Sequence, residues 1–87
     1  MPEQFAWTAA AWEDHVWWQG QDRKTLKRIK LMTGDALRHP FEGIGKPEPL
    51  RENLSGIWSR RIDDTHRLVY AVAAENLAII SCRYRYE

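Results

Sequence analysis

Pro40, Gly43, Gly45, Pro47 and Pro49 fall within ten consecutive residues. Proline lacks a backbone N–H and fixes its φ, so no helix or central strand runs through such a stretch. The segment therefore divides the chain. Before it, apolar residues recur at helical spacing; after it, they alternate. The whole connection, from residue 35 to about 52, is read as carrying no strand or helix of its own beyond a single helical turn over PLREN. Long connections in small domains are commonly functional. Pro47 and Pro49 also push the residue before each of them toward an extended conformation, which holds Glu48 between two stiff points. A carboxylate held this way loses little freedom on meeting a ligand. The strand region that follows carries Arg60, Arg61, His66 and Arg67. Two readings stay open on the residues alone: a site for an anionic substrate, or a proline-rich connection followed by a charged hairpin.

In the first part, EQFAWT alternates and reads as a short strand, with Phe5 and Trp7 on one face. Thr8 is placed to cap the helix that follows, whose Ala9, Trp12 and Val16 recur at one-turn spacing before Gly20. Asp22 is a second N-cap. The next helix sets Leu26, Ile29 and Thr33 on one side and Arg23, Lys27 and Lys30 on another, and Gly34 is expected to end it. The usual meaning of a basic outer face is solvation; contact with a phosphate or a partner is the other reading. Of the five tryptophans, core filling is the default expectation.

The second part holds three strand-like runs, IWSRRI, HRLVYAVA and LAIISCRYRY, with turns at Asp63–Asp64 and Glu75–Asn76. Such short spacing implies antiparallel pairing. Strict alternation puts Ser59 and Arg61 opposite Trp58 and Arg60, and Arg67 opposite His66, Leu68 and Tyr70. It also puts Ile79, Ser81, Arg83 and Arg85 opposite Ala78, Ile80, Cys82 and Tyr84. If the more apolar sets cover the helices, Arg61, Arg67, Arg83 and Arg85 form a basic patch on the open face. The expected fold is α+β: two N-terminal helices packed on one face of a mainly antiparallel four-stranded sheet.

With 87 residues, the chain is expected to be one domain, residues 1–87. Thirteen basic against twelve acidic residues leave a net charge of +1, which argues against a protein that holds free nucleic acid by charge alone. The one cysteine, Cys82, allows no disulfide within the chain and fits a reducing compartment; it is expected as a buried strand residue. His15 and His39 have no partners at metal-ligand spacing, so neither a metal nor a cofactor is expected. No apolar run approaches the length of a membrane span and the first residues do not read as a signal peptide, so a cytoplasmic location is expected.

FEGIGKPEPL, NLSGIWSRRI, HRLVYAV and the terminal CRYRY, in that order and at those spacings, resemble the YoeB toxins, of the Txe/YoeB branch of the RelE superfamily of bacterial toxin–antitoxin systems. The resemblance spans nearly the whole chain. It implies a RelE-like fold and an mRNA endoribonuclease that enters the ribosomal A site and cuts the messenger there. It implies neutralisation by a YefM-type antitoxin, which contacts operator DNA and with the toxin represses the operon. Family members also form homodimers. Carried over residue by residue, the family's catalytic glutamate falls on Glu48, the general base, and its catalytic arginine on Arg67. Arg51 and Arg61 match basic positions lining the family's site, with Arg83 in the expected basic patch beside them, and Tyr86 matches the terminal tyrosine near the substrate base. The family's R-Y-H-Y ending reads Arg83-Tyr84-Arg85-Tyr86 here, so Arg85 stands where a histidine acts as general acid. Arginine stabilises phosphate charge but releases a proton very reluctantly. Natural catalysis by charge stabilisation, natural attenuation and an introduced change are three explanations that the residues leave open.

Overall fold

The computed structural model describes residues 4–50 and 56–83. In chain order the elements are β1 (Gln4–Trp7), α1 (Ala9–Gln19), α2 (Arg23–Arg38), β2 (Glu48–Pro49), β3 (Ile57–Arg61), β4 (Arg67–Val72) and β5 (Asn76–Ser81). The strands form one sheet in the order β1-β5-β4-β3-β2. β1 runs parallel to β5. The other three pairings are antiparallel.

The sheet thus has five strands, not the expected four. The added strand is Glu48–Pro49, inside the connection read as free of strand. Its place at the sheet edge explains why prolines tolerate it: an edge strand needs only one side of its backbone paired, so a missing N–H can face outward. Glu48 pairs with Ser59 and Pro49 with Trp58, and Leu50 N–H continues the ladder onto Ile57 O at 3.0 Å. The helical turn expected over PLREN lies largely outside the described residues.

Both predicted caps form. The Thr8 hydroxyl accepts from Ala11 N–H and donates to Ile80 O, each at 3.0 Å, so it ties α1 to β5 as well. Asp22 accepts from the N–H groups of Lys24 and Thr25. α1 stops at Gly20 as expected. α2, however, runs through Gly34 to Arg38. A mid-helix glycine costs only about 0.5–1 kcal/mol, and the extra turn buries Ala36 and brings Asp35 onto a buried arginine.

The core lies between the helices and one face of the sheet. Ala11 and Trp18 of α1, Ile29, Met32 and Ala36 of α2, and Leu68, Tyr70, Leu77 and Ile79 of the sheet form one cluster. α1 turns its Ala11–Trp18 side inward, where the small alanine allows close approach and Trp18 Nε1 donates to Cys82 O at 2.7 Å. The other line, Trp12 and Val16, is about half exposed, so Trp12 is no core residue. Its ring instead stacks on His15, and Trp7 packs edge-on against both.

A bulge between β4 and β5 breaks the strict alternation. Val69 faces Ser81, but Tyr70 faces Ile79, so Ile80 is an extra residue on β5. Leu77 and Ile79 enter the core before the bulge and Cys82 after it. Ile79 is therefore on the helix side, contrary to the alternation. Cys82 is buried as expected, and burial, with Asp14 beside it, pushes its thiol up to about 12.

Candidate active site

β2, β3 and β4 lie side by side, and their register assembles one patch on the sheet face turned away from the helices. Glu48 is opposite Ser59, Ser59 opposite Val69, and Arg61 opposite Arg67. Cross-strand partners point to the same face, so Glu48, Ser59, Arg61 and Arg67 share it. Arg67 Nη2 donates to Glu48 Oε1 at 2.8 Å, and Arg67 Nε donates to Ser59 Oγ at 3.1 Å. The two strand-borne contacts fix the guanidinium plane. Its Nη1 makes no hydrogen bond among the described residues. Glu48 is 63% exposed and Arg67 26%, so the carboxylate is open to solvent and the arginine is partly sheltered. A carboxylate and a guanidinium held this close can move a proton and stabilise negative charge at one reacting centre.

Arg61 sits one cross-strand step from Arg67 and ion-pairs with Asp64 of the following turn. Both are largely exposed, so the pair is weak and easily exchanged. Arg83 does not join the patch. Its guanidinium carbon lies 3.7 Å from the centre of the Trp17 ring, against α1. The strand ends at Ser81, so alternation no longer directs Arg83, and the tryptophan face attracts the cation. Arg51, Arg85 and Tyr86 lie outside the described residues. Of the expected cluster, Arg60 and His66 also turn to the helix side. His66 packs edge-on against Trp18 at 4.8 Å between ring centres. Among the described residues, no group of three or more His, Cys, Asp or Glu side chains is placed to hold a metal ion.

Arg60 is the residue whose role the sequence pattern concealed. It is wholly buried and holds the connection that carries Glu48. Nη1 donates to Asp35 Oδ2 at 2.7 Å and Ile44 O at 3.1 Å, and Nη2 donates to the carbonyls of His39 and Glu42. Nε donates to the Tyr70 hydroxyl, which in turn donates to Pro40 O at 2.6 Å. Asp35 completes the network by accepting Ile44 N–H. Burial pushes the Asp35 carboxyl up, but the hydrogen bonds from Arg60 and Ile44 N–H outweigh it and hold it below its ordinary value. Past this hub, Arg61 N–H donates to Gly45 O at 2.7 Å, which leads the chain onto the sheet edge three residues before Glu48. The one sequence signal for this role was alternation, which put Arg60 on the apolar side of its strand.

The pattern of this chain matches the YoeB-like toxins of bacterial type II toxin–antitoxin systems over residues 7–86. Toxin YoeB of Synechocystis sp. is 56% identical over 82 residues, covering 94% of this chain and 95% of that protein. The YoeB/ParE toxin from Agrobacterium tumefaciens superposes with a TM-score of 0.91 at 41% identity, over 97% of this chain and all of that one. The YoeB dimer from Staphylococcus aureus gives 0.89 at 40% identity, over 99% of this chain and 100% of that one. The YoeB chain of the heterotetrameric YoeB–YefM complex from the same species gives 0.84 at 40%, over 99% of each chain.

Proposed function

From the premise that the chain belongs to the YoeB-like toxins of type II toxin–antitoxin systems, we propose that it is a ribosome-dependent endoribonuclease that cuts messenger RNA in the A site. The observation that carries the reading is the Glu48–Arg67 pair, a base and a cation on one open face with 2.8 Å between them.

In the proposed reaction Glu48 takes the proton of a ribose 2′-hydroxyl. The 2′-oxygen attacks the adjacent 3′-phosphorus, and the bond from phosphorus to the 5′-oxygen of the next nucleotide breaks. The departing 5′-oxygen takes its proton from water, and Glu48 afterwards gives the 2′ proton up to solvent, so the products are a 2′,3′-cyclic phosphate and a 5′-hydroxyl. Negative charge builds on the phosphorane oxygens, and Arg67 meets it from a direction that Ser59 fixes in advance, so little reorganisation is needed during the step. Arg61, loosely paired with Asp64, can exchange that carboxylate for an RNA phosphate. Arg51 and Tyr86 are assigned to the substrate from their match to the family's positions. Arg83, stacked on Trp17, bears on the same substrate only by leaving that ring. Arg85 is assigned to the departing 5′-oxygen, where it stabilises charge. General acid catalysis is worth about 10²–10⁴-fold, so cutting should be slower than with a histidine there.

Partners follow from the same family. A Staphylococcus aureus relative is known in complex with YefM and as a dimer, which supports a YefM-type antitoxin as the neutralising partner of this chain and a homodimer as an assembly it can adopt. Operator DNA is then reached only through the antitoxin. No helix among the described residues is long and apolar enough to cross a membrane, and the ribosome places the work in the cytoplasm. One domain over residues 1–87 completes the reading.

Arg85 favours a second reading, in which the chain docks on antitoxin and ribosome without cutting. Primer extension on a messenger held in programmed ribosomes separates the two. Cleavage by the unmodified chain, lowered about 10²–10⁴-fold by Glu48→Ala and about 10²–10³-fold by Arg67→Ala, is the expected result. Cleavage that appears only after Arg85→His would establish the second reading. No cleavage by either form would overturn the nuclease.

A further inference from the structure

β5 changes neighbours along its length. As far as Ile79 it pairs with β1, and Thr8 N–H still donates to Ile79 O at 3.1 Å. Beyond that point the chain of β1 has turned into α1, and side chains of the helix and its cap take the strand's place. The Thr8 hydroxyl donates to Ile80 O at 3.0 Å. Asp14 Oδ2 accepts Cys82 N–H at 3.1 Å, and Trp18 Nε1 donates to Cys82 O at 2.7 Å. Asp14 and Trp18 are four residues apart on α1, so they lie on one face, one turn from each other. One residue further along the chain, the Arg83 guanidinium lies over the Trp17 ring. α1 thus holds both backbone polar groups of Cys82 and the side chain of Arg83.

Cys82 is wholly buried, and β5 ends one residue before it. A buried N–H and C=O without ladder partners must be met by other groups. Trp18 belongs to the core in any case. Asp14 does not: it is half-buried, lies outside the core cluster and takes part in none of the three ion pairs between described residues. Aspartate is also disfavoured inside a helix, where its short side chain competes with the backbone. A solvated position would suit a longer side chain, such as that of the neighbouring, exposed Glu13. Leu77, Ile79 and Cys82 already hold β5 by apolar burial, which is non-directional. The Asp14 bond adds a direction, and a carboxylate accepts an N–H more strongly than a neutral oxygen does.

Direction matters at this place in the sheet. Ser81 is opposite Val69, and the same antiparallel register, continued for two residues, brings position 83 level with Arg67. Arg85, assigned above to the departing 5′-oxygen, is two residues beyond that, at most about 7 Å of chain. Tyr86, assigned to the substrate, is one residue further. So short a tether carries any shift at Cys82 to both.

We propose that Asp14 is a positioning residue for the cutting reaction: by fixing the backbone of Cys82 it sets where the terminal segment bearing Arg85 and Tyr86 leaves the sheet. This rests on the nuclease reading above and on its assignment of those two residues. Asp14 touches no reacting atom and acts only through the chain that it holds.

The test is single-turnover cutting of a message in saturating programmed ribosomes, using whichever of the unmodified chain and Arg85→His cuts. Ribosome affinity and folded fraction are measured on the same variants, and rates are expressed per folded molecule. Asp14→Ala removes the acceptor; Asp14→Asn keeps an oxygen in its place. Asp14→Ala should slow cutting about 10- to 100-fold with unchanged ribosome affinity, and Asp14→Asn should recover most of that loss. Ile79→Ala, which weakens β5 without touching the Asp14 bond, should leave the rate per folded molecule within about threefold. In a Tyr86→Ala background the cost of Asp14→Ala should shrink by about threefold or more, because part of what it positions is already gone. An unchanged rate per folded molecule in Asp14→Ala, or an equal loss in Ile79→Ala, would make the bond purely structural and overturn the proposal while the nuclease stands. The same cost of Asp14→Ala with and without Tyr86 would overturn the route through the terminal segment. No cutting by either the unmodified chain or Arg85→His would overturn the nuclease reading and this role together.

Discussion

Ser59 contributes to the site without touching a reacting atom. It is almost wholly buried and accepts Arg67 Nε at 3.1 Å. A hydrogen bond to a charged group is worth about 1.5–3 kcal/mol, so Ser59→Ala should slow single-turnover cutting on programmed ribosomes by about 10- to 100-fold. Ribosome affinity should not change, because Ser59 is almost wholly buried and offers a partner no surface. At the hub, Asp35 is the titratable partner of a buried arginine. Its carboxyl is lowered in the folded state, with Arg60 and Ile44 N–H overcoming the effect of burial. A lowered folded value means that the stabilisation is complete above the unfolded value, about 3.9. It is lost as pH falls from there through the folded value. Urea midpoints should therefore fall more steeply below about pH 4 for the unmodified chain than for Asp35→Asn. The variant should be less stable at neutral pH, since it leaves Arg60 buried and unpaired.

The connection between α2 and β3 behaves as an element although, among its described residues, it holds only two in a strand. Arg60 and Tyr70 fasten four of its carbonyls, those of His39, Pro40, Glu42 and Ile44. Gly45 makes the last turn possible. Its φ is +85°, and an added Cβ would lie 2.8 Å from Met32 Cε and 3.0 Å from Arg61 O. Backbone in that region disfavours any other residue, and Met32 is itself fully buried. Gly45→Ala should cost about 1–3 kcal/mol in chemical denaturation. It should also reduce cutting by more than the loss of folded protein accounts for, because Glu48 lies three residues along the same strand edge. Equal losses of folded protein and of cutting would show that the connection only stabilises the fold and does not aim Glu48.

Across the whole molecule, stability and site depend on one layer of contacts. β5 lies between β1 and β4 and carries Leu77 and Ile79, which meet both helices in the core. Ile79→Ala should cost about 2–5 kcal/mol, a large share of what a domain of this size has. Each kcal/mol corresponds to about 4–8 °C in melting temperature, which differential scanning calorimetry reads directly. The Glu48–Arg67 pair lies on the sheet face turned away from the helices. Neither Glu48 nor Arg67 belongs to the core cluster, so the pair can be altered without unfolding the protein.

What depends on neighbours along the chain was legible in the amino-acid order. The Thr8 and Asp22 caps, the stop at Gly20, the break between helical and strand halves, and the separation of Arg60 from Arg61 all follow from local geometry or a two-residue period. The family's motif also marked Glu48 and Arg67, and the fold sets them side by side. What depends on distant neighbours was not legible. Pro49 could join a strand because that strand became the sheet edge. Ile80 bulged because β5 must fit β4 and the helices at once, which moved Ile79 into the core. α1 buried Ala11 and Trp18 instead of Trp12 and Val16 because apolar residues surround it, and only the shape of the sheet chose between its sides. Arg60 and Arg67 lie on strands of similar composition. The pleat sent one into a buried hub and the other to the partly sheltered opposite face beside Glu48, and only the assembled layers gave those two directions different chemistry.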